Sequence, residues 1–203
     1  TESGEIRAGA HALDIDEVEA GVDYAIVIST SAGAWRYLIG DVVQFTDVDA
    51  CEIKITGRTK QYLSLCGEHL SVANMNQATW QVSQQLGFSV SEFTVRGLKY
   101  EGGEMGHRWF LSYPNGSPKP DAAQVKALLD EALGVLNDDY ATERKHVLKR
   151  MEVFVLPESD FLDFMDLRGK LGGQSKFPRV MPEGVYADWI EFLGSRYQRD
   201  TFA

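Results

Sequence analysis

Apolar positions along the chain first follow a two-residue rhythm and only later a helical one. Residues 23–30 (DYAIVIST) and 35–46 (WRYLIGDVVQFT) are β-branched and aromatic runs separated by SAG, the pattern of two antiparallel strands and a turn. Residues 51–57 (CEIKITG) alternate apolar and polar side chains and supply a third strand, and 61–67 (QYLSLCG) a further β run. In residues 71–87 the period changes: Val72, Met75, Thr79 and Val82 recur at helical spacing before a glycine stop. Residues 90–100 and 107–114 flank the turn EGGEMG and predict a hairpin. Val125, Leu128, Leu129, Ala132, Leu133 and Leu136 fall on one helical face, with Asp121 in capping position. RMEVFVLP (150–157) predicts a strand, SDFLDFMDL (159–167) a short helix opened by Ser159, and YADWIEFLGSRY (186–197) a closing helix. The basic run ERKHVLKR (143–150) is helical in pattern and reads as a solvated face.

This order predicts an α+β protein. A short β-rich leader, residues 1–58, precedes a small mixed-sheet domain flanked by helices, residues 59–203; only the second lies within the usual domain size range. No internal repeat or low-complexity tract is evident.

Composition narrows the function classes. With 203 residues, 44% hydrophobic and 25% charged, the chain can bury a proper core. Lys+Arg 20 against Asp+Glu 30 gives a net charge of -10, which argues against nucleic acid or an anionic membrane as the main partner. An anionic ligand would need a local basic cluster. Cys51 and Cys66 are too few for a disulfide framework and wrongly spaced for a zinc knuckle, so reduced thiols and a cytoplasmic location are expected. No apolar run approaches a membrane span and no signal segment opens the chain. The start, TESGEIRAGA, lacks an initiator Met and runs almost at once into strand-like sequence, as expected of a piece of a longer polypeptide.

Three places carry candidate chemistry. RGKLGGQSKFPR contains Arg168, Lys170, Lys176 and Arg179 and no acid, with glycines that free backbone N–H groups; it is either an anion-holding loop or a solvated surface loop, and it lacks P-loop spacing. Asp41, after Gly40, interrupts an apolar strand. A carboxylate there either turns to solvent at a bulge or finds partners such as the vicinal hydroxyls of a ribose. The triplet Arg58-Thr59-Lys60 sits between two strands where a reversal would favour Asn-Gly or Asp-Gly. His11, His69, His107 and His146 have no ligand-type spacing with one another or with the cysteines; they read as incidental, and no metal site is expected.

TSAGAWRYLIGDVV, GRTKQYLSLCGE, LNDDYATER and GGQSKFPR, in that order, resemble the C-terminal third of the acyl-acid amido synthetases. These are the auxin- and jasmonate-conjugating, auxin-responsive family of adenylate-forming enzymes, and the likeness covers nearly the whole chain. The resemblance implies a ligase that converts an acyl acid and ATP, with Mg2+ held by a missing N-terminal domain, to an acyl-adenylate and passes the acyl group to an amino acid. It implies that Asp41 binds the ribose hydroxyls, that Arg58 lies near the nucleotide, and that Lys60 and Gly67 belong to a hinge before a mobile C-terminal domain. Lys176 matches the lysine of Gln-x-Lys-x-Pro-Arg, whose ammonium would bridge the acyl carboxylate and the α-phosphate. Lys170 is its rival, since related enzymes use a Gly-Lys lysine near the C-terminus. Plant relatives carry arginine where Leu38 stands, with Arg36 nearby, which implies a bacterial-type member. The fragment alone is expected to be inactive. The competing readings are a non-catalytic α+β ligand-binding module and an acyl-CoA-forming relative.

Overall fold

The computed structural model describes residues 9–58, 62–170, 176–197 and 201–202. The chain forms two compact units, one of residues 1–62 and 69–75, the other of residues 63–68 and 76–203.

In the first unit β1 (Asp23–Ile28), β2 (Tyr37–Asp47) and β3 (Glu52–Arg58) form an antiparallel sheet in the order β1-β2-β3. Val42 and Val43 in β2 are its buried centre. Two very short strands follow, β4 (Tyr62–Leu63) and β5 (Leu70–Ser71), and then α1 (Val72–Leu86), of which Asn76 onward belongs to the second unit, as does Leu63. Ser71 opens that helix reciprocally with Asn74. The Ser71 hydroxyl accepts from the Asn74 N–H at 3.1 Å, and Asn74 Oδ1 accepts from the Ser71 N–H at 3.1 Å. The periodicity identifies the helix's inward face: Met75, Ala78, Thr79 and Val82 are buried.

In the second unit β6 (Phe93–Lys99) pairs antiparallel with β7 (Met105–Tyr113), and β7 pairs parallel with β8 (Leu148–Pro157). A parallel neighbour requires a crossover. It is made by α2 (Ala122–Leu136) and α3 (Asp138–His146). Asp121 caps α2 by accepting from the Ala123 N–H at 3.1 Å, as expected from sequence. α4 (Glu158–Leu167) and α5 (Glu183–Arg196) complete the unit. They close over an aromatic core in which Trp189 lies within 6 Å of the rings of Phe110, Phe161, Phe164, Phe177 and Phe192. The architecture is α+β with a mixed sheet, as the pattern predicts.

Two local expectations are corrected. ERKHVLKR is not one solvated helix: α3 ends at His146, and Leu148 opens β8 and is buried. Arg144 does not face solvent alone, because its guanidinium donates to both oxygens of Asp130, at 2.9 and 2.6 Å. Ser159 does not open α4; the helix starts at Glu158 with Pro157 at the cap, and the Ser159 N–H donates 3.2 Å to Asn115 Oδ1 from a distant loop.

At Gly106, β7 runs close against β8. A Cβ there would stand 2.6 Å from Arg150 Cβ, 2.7 Å from the Arg150 carbonyl oxygen and 2.9 Å from the Tyr100 ring. Backbone on the facing strand cannot yield without breaking the ladder. Gly106→Ala is expected to destabilise the protein by about 1–3 kcal/mol, read from the urea denaturation midpoint.

Candidate functional site

Asp41 and Arg58 are far apart in sequence but face each other across the β2–β3 ladder as Cα partners. The backbone around Asp41 is irregular. Against β1, the register of β2 shifts between the pairs Ala25–Val42 and Val27–Leu38, so extra residues bulge out where Ile39, Gly40 and Asp41 stand. Gly40 adopts φ 93°, a conformation that L side chains rarely take. Asp41 is half-buried at the edge of this bulge. On the far side, Thr56 fixes β3 by donating 2.8 Å to Asp23 Oδ1. Lys60, the expected hinge residue, lies outside the described residues.

Gly67 occupies the turn between β4 and β5 with φ 113°, where only glycine is unstrained. Beside it stands a fully buried carboxylate–imidazole pair that the sequence reading missed. Glu68 Oε1 lies 2.7 Å from His107 Nε2, and both side chains have 0% exposure. The same carboxylate accepts from the Leu65 N–H at 2.8 Å and from the Cys66 N–H at 2.9 Å, closing the turn on itself. Burial alone would raise the Glu68 carboxyl, but the hydrogen bonds from His107 and Cys66 outweigh it and hold the group down at about 2. Burial, followed by the nearby Glu68 carboxylate, pushes the Cys66 thiol up to about 12, so it is a poor nucleophile. His107 is therefore a structural partner, not an incidental residue. Its signal was its place inside the apolar run HRWFLSY, where an unpartnered imidazole would be costly.

The third candidate region begins at the end of α4. Gly169, with φ 64°, and Lys170 form a Schellman cap: the Gly169 N–H donates to Asp166 O at 2.8 Å and the Lys170 N–H to Met165 O at 2.9 Å. Residues 171–175 lie outside the described residues. Lys176 is exposed, and Phe177 immediately after it is buried in the aromatic core. The basic cluster is smaller than the sequence suggested. Arg168 pairs with Asp188 at 2.6 Å and Arg179 with Glu92 at 2.8 Å, so these two cations are matched by carboxylates distant in sequence. Lys170 and Lys176 are the two exposed lysines of the segment. Among the described residues no group of three or more His, Cys, Asp or Glu side chains could hold a metal ion, and no helix is long and apolar enough to cross a membrane.

The model of the GH3 family C-terminal domain matches residues 73–184, and that of the GH3 family central domain matches residues 2–58. The chain belongs to the GH3 family. It is 27% identical over 98% of its length to a probable indole-3-acetic acid-amido synthetase GH3.9 of Oryza sativa subsp. japonica, covering 48% of that protein. It is 28% identical to the indole-3-acetic acid-amido synthetase GH3.8 of Oryza sativa subsp. indica and 27% to GH3.3 of Arabidopsis thaliana, over 94% of its length and 33% of theirs in both cases. The chain thus spans between a third and a half of these GH3 proteins. The fold is that of the GH3.15 acyl acid amido synthetase structure, with a TM-score of 0.70 over 90% of this chain and 34% of that one, at 23% identity.

The depressed Glu68 carboxyl has a pH consequence. A carboxyl lowered from 4.5 to about 2 adds stability above pH 4.5, and that contribution disappears as pH falls through the interval to 2. Glu68 should account for on the order of 3 kcal/mol of that acid loss. Urea midpoints at pH 5 and pH 3 are expected to differ more for the wild type than for Glu68→Gln.

Proposed function

We propose that this chain is the C-terminal part of an ATP-dependent acyl-acid amido synthetase, which activates a carboxylic acid as its adenylate and transfers the acyl group to an amino acid. The observation that carries the reading is the register of Asp41 opposite Arg58 at a glycine bulge, in a chain that both GH3 domain families match in order. A half-buried carboxylate beside a guanidinium-bearing residue suits a ribose: two vicinal hydroxyls donate to Asp41, while Arg58 adds positive charge near the phosphates. The supporting names are those of the relatives, which are amido synthetases of indole-3-acetic acid.

In this reading Lys176 supplies the cation at the α-phosphate. Charge builds there as the acyl carboxylate attacks, and a preorganised ammonium lowers the barrier because it need not reorganise as the charge develops. Lys176 is preferred to Lys170, whose backbone is committed to the cap of α4. Mg2+ is proposed to be held by the remainder of the polypeptide. Lys60 and Gly67 are proposed as the hinge between residues 1–58 and residues 59–203. The family matches, which end at 58 and resume at 73, support a boundary in that interval. Cys51 and Cys66 are both free thiols, in keeping with a proposed cytoplasmic location.

The reading is tested by ATP–pyrophosphate exchange with the full-length protein across a panel of carboxylic acids. Lys176→Ala is expected to lower exchange by about 10²–10³-fold. Near wild-type exchange in that variant, with Lys170→Ala inactive, would move the role to Lys170. Asp41→Ala is expected to raise the apparent KM for ATP more than that for the acid, because the lost hydrogen bonds belong to the nucleotide. Equal changes in both constants would make Asp41 a structural residue.

A further inference from the structure

Lys176 precedes a stretch of chain that is held far more firmly than a surface loop. The Val95 N–H donates to Arg179 O at 2.9 Å and the Met181 N–H donates to Val95 O at 2.9 Å, so Val180 bridges β6 in parallel and extends the mixed sheet by a short edge. Phe177 is plugged into the core with its ring 5.0 Å from Phe161 and 5.3 Å from Trp189. Between these two anchors lies Arg179. Its guanidinium donates 2.8 Å to Glu92 Oε2 and 3.1 Å to the Phe93 carbonyl oxygen, and it stacks 4.3 Å over the Phe93 ring. One planar cation thus grips an acid, a backbone carbonyl and an aromatic face, all at the entry to β6.

We propose that Arg179, held by Glu92 and Phe93, is a positioning residue for Lys176; the proposal rests on the assignment of Lys176 to adenylation. A lysine has a long flexible stem, and its ammonium reaches a fixed point only if its backbone is fixed. The chain on the C-terminal side of Lys176 is fixed by Phe177 and by the Arg179 clamp. Lysine at 179 could not reproduce the clamp, because an ammonium is a point charge without a planar fork. Releasing the clamp leaves Phe177 and the Val95 ladder to hold the fold, while the segment carrying Lys176 loses one of its two anchors and the ammonium is placed less firmly. A misplacement of about 1 Å in such a group can cost on the order of 10²-fold in rate.

The test is a cycle in the full-length protein, with ATP–pyrophosphate exchange and thermal midpoint measured for each variant. Arg179→Ala is expected to lower exchange by about 10- to 100-fold. Glu92→Gln, which keeps shape and weakens the grip, should lower it several-fold in the same direction. In a Lys176→Ala background neither change should lower exchange further, because there is no ammonium left to misplace. Multiplied losses in the double variants, or wild-type exchange in both Arg179→Ala and Glu92→Gln, would overturn the proposal. If Arg179→Ala melts early, the Glu92→Gln cycle decides by the same criterion. Failure of the underlying assignment looks different: Lys176→Ala alone would then exchange like the wild type.

Discussion

The second unit depends on one constraint, which is that β7 is buried on both faces. From Gly106 to Ser112 every residue of this strand is buried, because β6 and β8 cover its edges and helices and loops its faces. A strand in that position normally reads as a continuous apolar run. β7 instead carries His107 and Arg108, whose buried polar atoms are costly unless they are paired. His107 meets Glu68. Arg108 meets Glu152, the Tyr186 hydroxyl at 2.8 Å and the Phe202 carbonyl at 2.6 Å. These bonds span 39 residues toward the N-terminus and 94 toward the C-terminus. Polar groups on a central strand therefore fasten the first and last pieces of the unit to its middle. Removing one partner would leave a buried charge unmatched, which costs more than the pair contributes in place.

The same constraint explains what could be read from the sequence and what could not. Half-buried strands and amphipathic helices announce themselves, so β1 to β3, α1, α2 and α5 were legible with ends wrong by a few residues. α3 was not: DDYATERKH has no apolar stripe, and only Tyr140 among its residues is buried. Its signals are electrostatic. Asn137 caps it at 2.6 Å from the Tyr140 N–H, two aspartates occupy the first turn, and Arg144, Lys145 and His146 the last. β5 is two residues long and below what a pattern can register. Within β7 the alternation expected of a hairpin strand is absent, since a strand covered on both faces has no polar side to show.

For the candidate site, residue types were legible and partners were not. The motif around Lys176 shows four cations without an acid, which suggested a loop open to an anion. Folding brings Asp188 to Arg168 and Glu92 to Arg179, acids 20 and 87 residues away, so half of the charge is structural. Nothing local distinguishes a structural arginine from a ligand-binding one. The difference lies in long-range contacts, which single-sequence periodicity does not encode.

Asp41 shows how much can turn on one inserted residue. Ile53–Phe45, Lys54–Gln44 and Ile55–Val43 pair in one register, which if continued would set Gly57 opposite Asp41 and Arg58 opposite Gly40. Instead the register shifts between Val43 and Val42, and Thr56 is the extra residue. From there Gly57 pairs with Val42 and Arg58 with Asp41. The Thr56 hydroxyl, donating 2.8 Å to Asp23 Oδ1 and lying 3.3 Å from the Val42 carbonyl oxygen, gives the displaced residue partners of its own. A slip of one residue moves a strand's side chains to the opposite face. The bulge is therefore what sets a basic residue and an acidic one at the same level of the sheet, and the glycine bulge at Gly40 turns the Asp41 backbone at that level. Holding Thr56 in the ladder instead would leave both residues in the sequence but set Gly57, not Arg58, opposite Asp41, so the motif alone does not specify the site; the register does.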